Sequence, residues 1–401
     1  MTDTTARPST AALTPISVPP KRWLKKAAVA LIAAYVAFLA SAFAHGLWLK
    51  DEQGRNIQTD FIGFWAAGRL VLDGNATAAY DWPVHKAVEE QAIGHSFHGF
   101  FQWSYPPAYL FVVTPLSLLP YLIAFFFWSA LTLPAYAMTI RRIIGQRIGF
   151  VLACAFPGVL WNVWTGQNGF LTAALLGSAL CAMETQPRLA GVFLGLLSYK
   201  PQFGLLFPII LIMNREWRVL SWGAAITSVM IVAPRLAFGP TIWQAFFEYL
   251  PLTSQSILGQ GLNGYHELQT VFGLIRMYGG SETLAWTVQV GFAILGGTAV
   301  CLLWRRQVAF EIKAAALGVA VLLSTPYLYF YDLVVLAVPM AFLIRIGFRD
   351  GFEVWDVAAL ASAAALVFIA PLVGFPTGLL AVLLVASVIS RRVTRSSPSP
   401  S

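Results

Sequence analysis

An acid set directly against aromatic residues is the first place in this sequence where chemistry could be done. In QTDFIGFWAAGRLVLDGNATAAYDW, Asp60 precedes Phe61, Ile62, Phe64 and Trp65. At a helix start a carboxylate caps free amides; at the edge of a bilayer it can face a headgroup, and the two roles are compatible. Lys200 interrupts an apolar stretch and precedes Pro201, which breaks a helix. It is either a point charge for a phosphate or a lysine snorkelling to the interface. Arg276 and Arg235 are rivals for the phosphate role. Asp332, at the head of an apolar span after TPYLYFY, is a second acid or a helix cap. Gln167 and Asn168 can hydrogen-bond hydroxyl groups or finish a helix.

The elements that must position these residues are membrane spans. The chain of 401 residues is 58% hydrophobic and 11% charged, where soluble domains carry about 25% charged residues. Residues 27–46 run apolar with no charge, and similar runs recur to Ser390. The fold class expected is an all-α integral membrane bundle of about 12 transmembrane helices. Its spans are 27–47, 107–140, 148–161, 168–183, 189–199, 203–213, 219–238, 284–304, 312–324, 332–344, 355–370 and 374–390. Several are too short to cross alone and are expected as half-helices meeting at breaks. Pro115, Pro120 and Pro134 should kink or divide 107–140. Residues 1–22 and 391–401 read as disordered cytoplasmic tails around a membrane domain at 23–390, with 48–106 as the first outer loop.

The net charge of +8 reports orientation rather than nucleic acid, because the basic clusters flank the spans. Putting them on the cytoplasmic side sends 48–106, 161–168, 200–202, 239–283 and 325–332 outward. These hold the polar residues hardest to explain by packing: Asp60, Asp81, Gln167, Asn168, Lys200, Gln202, Glu267, Gln269 and Asp332. One outward polar cavity is the expectation. Cys154, Cys181 and Cys301 are scattered and suggest neither disulfides nor a metal site. His95 and His98 lack a third ligand, and Asn75–Thr77 is a glycosylation sequon that matters only in a eukaryotic host. No nucleotide-binding or hydrolase motif is present, nor any repeat.

Within 59–72 the apolar positions suit a helix lying along the membrane surface. The order Asp60, Phe61, Phe64, Ala67, Gly74, Tyr80 and Asp81, then WSYPPAYLFVVTPLSLLP, resembles the family 87 glycosyltransferases. The likeness continues through WTGQNGF at Trp164–Phe170, AGVFLGLLSYKPQ at Ala190–Gln202 and STPYLYFYDLVVLAVP at Ser324–Pro339. That family belongs to the multi-span C superfamily, which uses polyprenyl-phosphate sugars. The resemblance implies a hexosyltransferase, with mannose the first sugar to consider, that glycosylates a lipid or polysaccharide acceptor on the outer face of the inner membrane. Asp60 would be the catalytic base, and Lys200 or Arg276 would hold the donor phosphate. Asp81, Tyr105, Gln167 and Asn168, with Gln202, Gln269, Tyr331 and Asp332, would bind sugar or acceptor. Neither metal nor other cofactor is expected. Where related members carry histidines after Ser-Pro or Thr-Pro, this chain has Tyr331 and Asp332. Two rivals compete with an enzyme. A secondary transporter would show substrate counterflow, and a lipid-binding assembly protein would not depend on Asp60.

Overall fold

The computed structural model describes residues 21–396, and the described residues form helices, turns and irregular segments with no β-strand beyond isolated bridges. The tails expected at 1–22 and 391–401 lie outside the described residues except at their inner ends. There Lys21 and Arg22 open the first helix, Lys21–Ala44, and residues 391–396 complete the last, Thr377–Ser396.

Among the described residues, six helices are long and apolar enough to cross a membrane alone: Lys21–Ala44, Tyr121–Ile144, Trp217–Phe238, Glu282–Trp304, Phe330–Asp350 and Thr377–Arg395. A seventh crossing arises if Ile148–Ala155 and Gly158–Thr165, bent by 59°, count as one. The expected count of about 12 is thus not reached by single spanning helices. Helices such as Gly169–Ala182 and Val354–Ile369 are apolar but shorter than a bilayer needs. The division of 107–140 falls at Pro120, between the short helical stretch Pro107–Leu118 and Tyr121–Ile144; Pro134 sits inside the latter without ending it.

Breaks occur where proline and glycine remove or redirect backbone bonds. Phe156–Pro157 separates the bent pair. Gly166, in the left-handed region at φ 70°, ends Gly158–Thr165. Lys200 lies at the junction of two short 3-10 turns, Leu197–Tyr199 and Pro201–Phe203. Phe330–Asp350 is the most enclosed span, and its first seven residues form a 3-10 turn against Gly158–Thr165 and Gly169–Ala182.

The helix Phe61–Leu72 corrects one expectation. It is not laid on a surface with one face free: Phe61, Ile62, Gly63, Phe64, Ala66, Ala67, Gly68 and Leu70 are all buried. Small residues allow this, because neighbours approach on the faces that the aromatic pattern leaves open. A Cβ at Gly68 would stand 2.5 Å from the carbonyl oxygen of Val113, and one at Gly63 would stand 2.5 Å from that of Phe101. Ser117 fastens the crossing by donating to the Trp65 carbonyl at 2.7 Å.

Basic residues that flank the spans find acids at helix ends. Glu311 receives Arg349 at 3.0 Å and Arg345 at 3.4 Å. Asp356 receives Arg392 at 2.5 Å, and Glu353 pairs with Arg395. None of these residues lines the cavity described next.

Candidate active site

The five segments sent outward by the charge pattern meet at one cavity of about 1050 Å³. Its wall takes Gln58–Asp60 from the first, Trp164, Thr165 and Gln167 from the second, and Lys200 and Gln202 from the third. The fourth gives Trp243, Phe246 and Glu267, and the fifth gives Tyr327 and Tyr329–Asp332. Apart from Trp243 and Phe246, which sit on the helix Ile242–Ser254, these residues arrive at or beside helix ends, where backbone can line a cavity inside protein even at membrane depth.

Asp60 begins Phe61–Leu72 but caps nothing. Its backbone is already helical (φ −58°, ψ −24°) and its side chain makes no cap bond, so the capping reading fails. The preceding residue is pinned instead: Thr59 meets the Tyr121 hydroxyl through its backbone N at 3.2 Å and its Oγ1 at 3.0 Å. The carboxylate turns to the cavity and accepts a hydrogen bond from Gln167 Nε2 at 3.3 Å. Gln167 is oriented in turn, its Oε1 accepting from the Tyr105 hydroxyl at 3.2 Å and from the Asn168 backbone N at 3.3 Å. Burial, with Asp332 adding its negative charge, raises the Asp60 carboxyl from 3.8 to about 6; the Gln167 bond opposes the rise. Glu267 is raised from 4.5 to about 7, by burial first and then by the charge of Asp60. The cavity therefore holds two carboxyl groups that titrate near neutrality, which suits proton transfer.

Lys200 is 5% exposed and Asp332 1% exposed. The ammonium donates to Asp332 Oδ1 at 2.6 Å and to Asn168 Oδ1 at 2.9 Å. A protonated lysine has three hydrogens, so one remains for a ligand in the cavity. This is a held charge and not a snorkelling one. Aromatic rings surround it, with Phe203 at 5.5 Å, Tyr331 at 5.9 Å and Tyr105 at 6.0 Å from the ammonium to the ring centre.

Of the residues singled out from sequence, Asp60, Tyr105, Gln167, Lys200, Gln202, Tyr331 and Asp332 line the cavity. Asn168 does not; it is fully buried behind the wall, where it holds Lys200. Asp81 is exposed and caps Trp82–Ile93 by accepting from Val84 N at 3.3 Å. Gln269 is buried outside the cavity, its amide joining the His266 carbonyl at 2.8 Å to Gly378 N at 2.8 Å. Arg276 spends its guanidinium on the carbonyls of Gly280 and Gly259 and the hydroxyl of Tyr265, at 2.9, 2.8 and 2.7 Å. It latches its own loop and does not line the cavity. Arg235 is equally remote, bonded to the Pro240 carbonyl. The ring nitrogens of His95 lie 3.0 Å from the Ser96 carbonyl and 3.1 Å from that of Asn56, and no metal-holding group exists among the described residues. Trp103 is buried in the core.

Glu267 was visible in sequence only as an unexplained polar residue. Its loop position gave no sign that it would face Asp60.

The model of glycosyltransferase family 87 matches residues 103–326, more than half of the chain. The chain belongs to glycosyltransferase family 87. No curated protein and no solved structure matches it. A family 87 member is a membrane glycosyltransferase with a sugar donor and an acceptor as substrates. Gln167, Lys200, Gln202 and Glu267 fall inside the family match; Asp60, Tyr331 and Asp332 fall outside it and enter through the fold.

Proposed function

We propose that this family 87 enzyme moves a hexose, with mannose the first to test, from a polyprenyl-phosphate donor to a lipid or polysaccharide acceptor, with inversion. The cavity would open to the periplasmic face of the inner membrane, as the basic residues flanking the spans suggest. Asp60 takes the proton from the acceptor hydroxyl as that oxygen attacks the anomeric carbon. The bond from that carbon to the phosphate oxygen breaks on the opposite face, and polyprenyl phosphate leaves with the electron pair. A phosphate needs no proton to leave, so one carboxylate suffices where inverting hydrolases use two. Lys200 meets the phosphate with its third hydrogen. Gln202, Tyr105 and Tyr331 line the space left for the sugar, and Gln167 keeps Asp60 turned toward it.

The observation that carries this reading is Asp60 itself. It is a helix-start carboxylate released from capping, tuned toward neutrality and set in one cavity with a buried lysine. The test is purified protein incubated with polyprenyl-phosphate mannose and a membrane extract, followed by mass spectrometry of new glycolipids. Product that forms with wild type and not with Asp60→Asn supports the reading. Product made equally by the Asn variant ends it. A Gln202→Cys variant labelled only from the cytoplasmic side would reverse the orientation.

A further inference from the structure

Beneath the wall that carries Asp60 lies a pair of ionisable side chains that the reaction above does not use. His85 and Glu89 stand one turn apart on Trp82–Ile93, 1% and 0% exposed, and neither lines the cavity. His85 Nε2 lies 3.1 Å from the carbonyl oxygen of Gly63. That oxygen has no hydrogen to give, so Nε2 carries one and donates it. Nδ1 then faces Glu89 Oε1 at 3.4 Å, and among the described residues no other side chain or backbone group hydrogen-bonds either carboxylate oxygen.

An unprotonated Nδ1 against an ionised carboxylate sets lone pair against lone pair. One proton on either group turns the contact attractive. The surroundings favour keeping that proton. Burial pushes the Glu89 carboxyl up, while His85 and Lys86 pull it back. Lys86 Nζ is 3.8 Å from Oε2 and lies over the Phe97 ring. Glu90 on the same helix adds negative charge, and from neighbouring segments the phenols of Tyr121 and Tyr249 feel the Glu89 charge.

We propose that His85 and Glu89 hold one shared proton under Gly63 and so position the first helical turn that carries Asp60. Gly63 follows Asp60 by three residues and lines the cavity. A Cβ there would come within 3.7 Å of Glu89 Oε1 and 2.5 Å of the Phe101 carbonyl oxygen. The turn therefore rests directly on the pair. Loss of the shared proton at alkaline pH replaces attraction by repulsion at this support, and turnover falls as the base loses its setting. His85 and Glu89 are positioning residues, since neither touches substrate.

The inference rests on Asp60 being the base, and its test keeps the two ideas apart. The full chain in detergent is assayed over pH with polyprenyl-phosphate mannose, as wild type, Glu89→Gln and His85→Gln. Wild type is expected to decline on the alkaline side. In Glu89→Gln the amide donates to Nδ1 at every pH, and in His85→Gln the new amide still donates to the Gly63 carbonyl. Both should lose the alkaline decline, giving turnover about fivefold or more above wild type there, the factor that one ordinary hydrogen bond represents. In parallel, the chain with 15N-labelled histidine, its His85 signal identified by loss in His85→Gln, should show Nε2–H throughout and an Nδ1 that loses its proton across the same decline. An alkaline limb unchanged in either variant, or a His85 with Nε2 bare, overturns the proposal. If Glu89→Gln is not recovered folded, His85→Gln and the histidine spectrum decide. A failure of the base reading shows separately, as activity in Asp60→Asn.

Discussion

Replacing Asp60 by asparagine should separate stability from turnover. The rise of its carboxyl from 3.8 to about 6 corresponds to roughly 3 kcal/mol by which the folded site disfavours the ionised form relative to the unfolded chain. The sign follows from linkage: a carboxyl raised on folding holds its proton more tightly when folded. Its cost is absent below the unfolded value and fully felt above about 6. Asparagine removes that cost while keeping an oxygen for Gln167, so at pH 7 the variant should unfold at the same temperature as wild type or above it. At pH 3, where both carboxyl and amide are neutral, the two should converge. Turnover should fall by about 10²- to 10⁴-fold, the usual contribution of a positioned general base, with donor binding retained. Wild-type turnover should itself fall as pH drops through about 6, as the base becomes protonated. Thermal unfolding in detergent at the two pH values, glycolipid formation by mass spectrometry and donor binding by calorimetry read all of these. An Asn variant that loses turnover while melting well below wild type at pH 7 would mean that Asp60 supports the fold, and the reasoning from burial would be refuted.

Other consequences can be checked alongside. Lys200→Ala strands the buried Asp332 carboxylate and should lower stability by about 3–5 kcal/mol, with donor affinity at least tenfold weaker. The Lys200→Ala, Asp332→Ala double variant should recover stability but not affinity, measured by unfolding and by donor binding. Arg276→Ala should leave donor affinity unchanged yet cost about 1–3 kcal/mol, and limited proteolysis should then cut within 259–280. Asp81→Ala should cost about 1 kcal/mol as a lost helix cap, with product formation at the wild-type rate.

Asp60 and Asp81 show how far the sequence could be read. Each precedes an aromatic residue at a helix start, Phe61 in one case and Trp82 in the other. Sequence weighs capping against chemistry for Asp60 and gives Asp81 to sugar or acceptor binding. The structure divides them, because Asp60 takes a helical backbone and points away from the free amides, whereas Asp81 is extended (φ −109°, ψ 104°) and turns back to Val84. Backbone dihedrals of single residues are set by tertiary packing, which no local pattern records. The convergence of five segments was legible because it depends only on which ends of the spans carry Arg and Lys. The span count was not, since enclosed helices such as Gly169–Ala182 carry no charge on any face whether or not they cross. Gln269 and Arg276 misled for a related reason: a polar residue in an outer loop serves backbone carbonyls as readily as a ligand.

The two glycine crossings of Phe61–Leu72 restrict how substrates can be admitted. With carbonyl oxygens of Phe101 and Val113 already at the distance of a missing methyl, this helix has no slack in which to tilt or slide. It acts as an anvil, a fixed wall that reaches the cavity through Gly63 and Phe64 and ends at Asp60. A side chain added at position 63 or 68 meets backbone and not only a yielding side chain, so the setting of Asp60 tolerates little change along this helix.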